Sequence, residues 1–166
     1  MLTRSYLGFS FQDIADRVGI RKPSLYHHFA TKEALAVAVL SHAADGFERW
    51  SASLQGPAAK RLDAYFKMYR DTLHAGEAMC PAGALAPGWD CIEDSLKAEV
   101  RRIRTVQIDW LGTVFTELGQ RTRARAQARG AYVFALCQGA LASSRMTGDV
   151  VDFDDVIATG RRALEL

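Results

Sequence analysis

The sequence predicts an all-α protein, and three observations carry that expectation. Apolar residues recur in steps of three and four along most of its 166 residues, the spacing that keeps side chains on one side of a 3.6-residue helix. No stretch shows the sustained alternation of a half-buried strand. The four prolines, Pro23, Pro57, Pro81 and Pro87, fall at the edges of the periodic stretches, where they act as punctuation.

Each element follows from local signals. Ser10 stands before Phe11-Gln12-Asp13, a serine cap with an acid three residues on. Ala15 is small where two helices must approach, and Gly19 follows four residues later, where a turn needs a residue tolerant of positive φ. Pro23 suits the first turn of a short second helix running roughly from Lys22 to Phe29. Ile14, Val18, Ile20, Leu25 and Phe29 are expected to supply the contacts between the two. Thr31 caps a third helix, with Leu35, Val39, His42, Gly46, Trp50 and Leu54 on one face. Gln55-Gly56-Pro57 breaks the chain and divides a headpiece, 1–54, from a body, 57–166. In the body, Leu62, Tyr65, Phe66, Tyr69 and Leu73 form one stripe. Met79 to Asp90 reads as a short helix or a bent connection. The longest stripe is Leu96, Val100, Ile103, Gln107, Trp110, Leu111, Val114, Phe115 and Leu118. Two last helices, about Gln120 to Arg145 and Phe153 to Leu166, are separated by Gly148-Asp149.

Composition narrows the function classes. With 49% hydrophobic and 24% charged residues, the chain can bury a core and does not read as disordered. No run approaches the ~18 apolar residues of a membrane span, so no membrane partner is expected. Three scattered cysteines, Cys80, Cys91 and Cys137, argue against a disulfide framework and for a reducing, cytoplasmic setting. They lack the spacing of a zinc site. Cys80 and Cys91 read either as a thiol sensor or as small apolar residues. No nucleophile constellation, Glu-x-x-His pair or phosphate-cradling loop occurs, so no enzyme, metal or cofactor is expected. The net charge is only +2, which excludes a histone-like binder. From Arg4 to Lys32, however, five bases face two acids, a local excess of three.

The outward side of the second helix carries Arg21, Lys22, Ser24, Tyr26, His27 and His28, with Lys32 at the start of the third. These side chains suit phosphates and base edges, as for a helix entering the major groove of double-stranded DNA. They also suit a solvated polar face, and His28 a packed histidine. In the body, Tyr65, Phe66, Tyr69, Trp110 and Phe134, with Gln107 and Gln138 on otherwise apolar stretches, read as ordinary core or as the wall of a small-molecule pocket. The arginines at 101, 102, 104, 121, 123, 125 and 129 read as a solvated face pairing with Glu99, Asp109 and Glu117.

The stretches Gly8-Phe9-Ser10, Asp13-Ile14-Ala15, Val18-Gly19-Ile20, Leu25-Tyr26-His27-His28-Phe29 and Lys32-Glu33-Ala34-Leu35 resemble the DNA-binding domain of the tetracycline-repressor (TetR) family. The resemblance covers about residues 6 to 40. It implies a helix-turn-helix headpiece on a helical ligand-binding and dimerisation bundle, a homodimer on a palindromic operator, and a repressor released by a small-molecule effector. It places Tyr26 and His28 on phosphates, and Arg21, Lys22 and Ser24 nearer base edges. It implies pairing of the last two helices across a two-fold axis, for which Val133, Leu136, Ala140 and Leu141 are expected interface residues. In one respect the sequence departs from the pattern. Only Met1 to Leu7 precede Gly8, so most of the family's first helix is expected to be missing. The alternative this raises is a ligand-binding and dimerisation module without competent DNA binding.

Overall fold

The computed structural model describes residues 6–74 and 80–165. Arg4, with the rest of the segment before Tyr6, and Met79 lie outside the described residues. The chain runs through a 3-10 turn at Tyr6–Gly8, then α1 (Phe11–Val18), α2 (Lys22–His28), α3 (Lys32–Ser53) and α4 (Ala58–His74). A bent 3-10 segment, Gly83–Cys91, follows, then α5 (Asp94–Glu117), α6 (Arg123–Thr147) and α7 (Val150–Ala163). No strand occurs among the described residues.

The boundaries have local causes. Ser10 and Asp13 form a reciprocal capping box: Asp13 N–H donates to Ser10 Oγ at 3.3 Å and Ser10 N–H to Asp13 Oδ2 at 2.7 Å. Gly19 ends α1 in the left-handed region at φ 74°, which lets its N–H close onto Ala15 O. Thr31, Thr122 and Asp149 cap α3, α6 and α7 through their side chains. Non-helical φ/ψ at Gly88, beside Pro87, kinks the 3-10 segment.

Two cores form. The smaller holds Phe11, Ala15 and Leu25, with Ile14, Phe29 and Leu35 against them. The larger gathers residues from Tyr6, α3, α4, α5, α6 and α7. α3 belongs to both, because Leu35 faces the small core while Ala36, Leu40, Ala44 and Phe47 are buried in the large one. α5, α6 and α7 stack in sequence order. Gly130 sets the α5–α6 approach, since a Cβ there would lie 3.0 Å from Ile108 O and 3.1 Å from Leu111 Cβ.

Four sequence expectations are corrected. Val18 and Ile20 are 63% and 41% exposed, and Phe11 instead fills the α1–α2 contact. The buried face of α3 is offset from the expected stripe. Val39 and His42 lie outward, because the small Ala36 and Ala44 let the helix settle closely on α5. Val133, Ala140 and Leu141 are at most 1% exposed within one subunit, and Leu136 packs on Gly160 of α7. They therefore hold α6 to its own neighbours instead of forming a dimer surface. The arginine run pairs less locally than expected. Arg102 reaches Asp45 and Glu48 of α3, with Glu99 farther off at 3.8 Å, while Glu117 takes Arg61 of α4.

The Gly130 contact gives a direct test. Gly130→Val forces backbone of α5 away from α6, an overpacking cost of about 1–3 kcal/mol. Urea unfolding should show a lower midpoint at unchanged slope, and an unaltered midpoint would refute the close approach.

Candidate nucleic-acid interface and apolar cavity

The exposed face of α2 begins with its fold. Leu25 is the one buried residue of this helix and anchors it on Ala15 and Phe11. The remaining side chains, Lys22, Ser24, Tyr26, His27 and His28, are exposed, as is Arg21 just before them. The Tyr26 ring rests edge-on against Phe11 with centroids 4.9 Å apart, and the residue is still half exposed. Lys22 Nζ lies 5.9 Å from the Tyr26 centroid, and the His27 and His28 rings meet at 5.2 Å. Polar groups thus cover the solvent-facing surface of α2 on all sides but that of Leu25, and they suit groove readout. Lys32 differs from the others. Its ammonium sits over the Tyr6 and Phe9 rings, at 4.5 and 4.4 Å, and burial holds its pKa below the usual lysine value.

The second feature is a cavity of about 220 Å³ bounded by α3, α4, Cys80-Pro81, α5 and α6. Ala43, Gly46, Phe47 and Trp50 form its α3 wall. Of the residues expected to line a pocket, Tyr69 and Gln107 do so. Tyr65 and Gln138 lie one hydrogen bond away. Tyr65 and Tyr69 hydroxyls both donate to Gln107 Oε1 at 2.8 Å, and Gln138 Nε2 donates to the Tyr69 hydroxyl at 3.1 Å. Trp110 stacks on Tyr65 with centroids 5.8 Å apart. Phe66 lies under the Arg161 guanidinium toward α7, and Phe134 packs on the core, so neither forms part of this wall. Sequence reasoning missed the α3 wall because it gave all of α3 to the headpiece. The signal was present in Ala43 and Gly46, small residues flanking Phe47.

Burial pushes the Tyr65 and Tyr69 hydroxyls well above the ordinary phenol value, and likewise raises the Cys137 thiol beneath them. Cys80 is buried on the cavity wall and Cys91 is exposed. Among the described residues no cluster of three or more His, Cys, Asp or Glu could hold a metal ion. No helix among them is long and apolar enough to cross a membrane.

Residues 1–39 match the family described as bacterial regulatory proteins, tetR family. The headpiece is thus similar to that of the TetR family, and the fold is TetR-like. A TetR-family regulator from Agrobacterium tumefaciens superposes with TM-score 0.85 at 26% identity, over 99% of this chain and 89% of that one. A TetR regulator from Legionella pneumophila gives 0.88 at 24%, over 95% and 87%. The regulatory protein TetR from Rhodobacter sphaeroides gives 0.84 at 17%, over 97% and 91%. Among curated protein sequences none matches. The TetR headpiece and fold point to a DNA-binding transcriptional regulator, with DNA and a second subunit as the partners such structures imply.

The buried phenols carry a pH prediction. Their pKa is higher in the folded state than the ordinary 10.0. Their contribution is therefore complete below that value and is lost as pH rises through and above it. Melting temperature should drop between about pH 9 and 11, and drop less in Tyr65→Phe/Tyr69→Phe. Identical pH profiles for the two proteins would count against the buried network.

Proposed function

We propose that this chain is a ligand-responsive transcriptional regulator, a repressor that leaves its operator when a small molecule enters the body. One observation carries the reading: α3 holds the headpiece core through Leu35 and walls the cavity through Ala43, Gly46, Phe47 and Trp50. A ligand wedged against that wall acts on the same rigid helix that aims α2. The shift it causes is bounded by its differential affinity for the two headpiece positions.

In this reading the headpiece to Leu54 reads DNA, and the body from Pro57 binds ligand and pairs subunits. The face for pairing is the outer side of α6, where Ala128, Tyr132, Ala135, Gly139 and Met146 are exposed in helical register, continued by Val151 and Ala158 on α7. Tyr132, Met146 and Val151 are 43%, 86% and 57% exposed in the single subunit. Apolar groups so placed are what a self-complementary two-fold contact buries. Two α2 helices then address successive major grooves of a pseudo-palindrome. Arg21, Lys22, Ser24, Tyr26, His27 and His28 are the proposed contacts, and Lys32 supports them from the start of α3.

The test is a fluorescence-anisotropy titration against the DNA flanking the gene. Wild type should bind with an affinity that falls steeply with salt. Lys22→Ala should weaken binding by about tenfold while leaving the melting temperature unchanged. Binding of Lys22→Ala equal to wild type would remove α2 as the reading helix.

A further inference from the structure

The cavity wall carries a chemical instruction about its occupant, and this inference rests on reading that cavity as the effector site. Among the described residues, no side chain lining it is charged. The nearest titratable groups of the network, the Tyr65 and Tyr69 hydroxyls and the Cys137 thiol, are all held neutral by burial. A charged guest would lose part of its hydration against this apolar lining and meet no counter-charge among the described residues.

The polar atoms that remain are few and oriented. Thr72 spends its hydroxyl hydrogen on Tyr69 O at 2.7 Å. The Tyr69 hydroxyl gives its hydrogen to Gln107 and receives one from Gln138. Gln107 is the informative group. It is 4% exposed, lies in the middle of α5 and lines the cavity. Both hydrogen bonds described for it end on Oε1, where two phenol hydroxyls donate. With Oε1 accepting from both phenols, the Nε2 hydrogens are left as the other end of the amide. Both described hydrogen bonds leave Nε2 unengaged, on a side chain that lines the cavity. The volume, about 220 Å³, exceeds the ~150 Å³ that accommodates benzene. Phe47 and Trp50 are among its lining side chains.

We infer that this cavity takes a neutral, largely aromatic molecule of bicyclic size that presents one hydrogen-bond acceptor, a carbonyl or equivalent oxygen, to the Gln107 amide. Tyr65 and Tyr69 are the positioning residues. They do not choose the ligand by touching its oxygen but by holding the amide so that it can only donate.

Isothermal titration with three probes tests this: naphthalene, 2-acetylnaphthalene and 2-naphthoate. The ketone should bind roughly fivefold to tenfold more tightly than the hydrocarbon, and the carboxylate should show no heat at concentrations that saturate the ketone. In Tyr65→Phe/Tyr69→Phe the amide is free to turn. Preference for the ketone over naphthalene should then shrink to within about twofold while naphthalene still binds. The wild-type comparison alone decides the matter if that variant does not fold. Equal affinity for ketone and hydrocarbon, or binding of the carboxylate as tight as the ketone, overturns the ligand class and leaves the effector cavity standing. Failure of all three probes to bind overturns the effector cavity, and this inference with it.

Discussion

The structure depends on α3 being shared between two cores. A helix of this length has room for both tasks, and its sequence assigns them to different turns. The first turn gives Leu35 to the small core, while Ala36, Leu40, Ala44 and Phe47 are buried along α5. The pairing is held from outside as well. Arg102 of α5 donates to Asp45 and Glu48, and the carboxyl of Asp45 is held below its ordinary value by that hydrogen bond. At the other end Ser95 of α5 donates to Glu33 in the first turn of α3. Surface ion pairs of this kind add less than about 1 kcal/mol each, so the apolar stripe carries the attachment and the polar contacts fix its register.

That sharing explains how a cavity in the body can matter to a polar face on α2. The cavity wall and the headpiece anchor lie on one continuous helix, and packed helices shift as units more readily than they bend. In the proposed mechanism the remainder of the body is the reference against which α3 would move. α5, α6 and α7 are locked by the Gly130 approach and by Leu136 on Gly160, and α4 is tied to α7 by a two-pronged Arg70–Asp154 pair at 2.7 and 2.8 Å. The exposed side of α6 is the face these contacts leave uncovered.

Much of the fold was legible in the sequence because its signals are local. The Ser10 and Thr31 caps, Gly19 in its turn, Pro23 in the first turn of α2 and the α5 stripe all read directly as they stand in the structure. What was not legible depended on which neighbour a face meets. The α3 stripe through Gly46 and Trp50 was visible as a periodicity, yet those two residues face the cavity while the adjacent stripe of alanines is the buried one. Small residues carry little hydropathy, so a close-packed seam of them looks weaker than it is. Likewise Val133, Ala140 and Leu141 are apolar whether they meet a partner subunit or their own core, and only the tertiary packing distinguishes the two. For the site, aromatic composition led to Tyr69 but also to Phe66 and Phe134, and a polar residue on an apolar stripe led to Gln107, because a residue's type does not tell which side of its helix opens onto a cavity.

The central claim is that α3 couples the cavity to the DNA-reading face. The most direct measurement is the operator affinity of Ala43→Phe, a change in the cavity wall of α3 far along the helix from α2. A benzyl group there occupies the space a ligand would take. Operator affinity should fall by at least about tenfold with the melting temperature preserved or raised. A folded Ala43→Phe that binds the operator as tightly as wild type would contradict it.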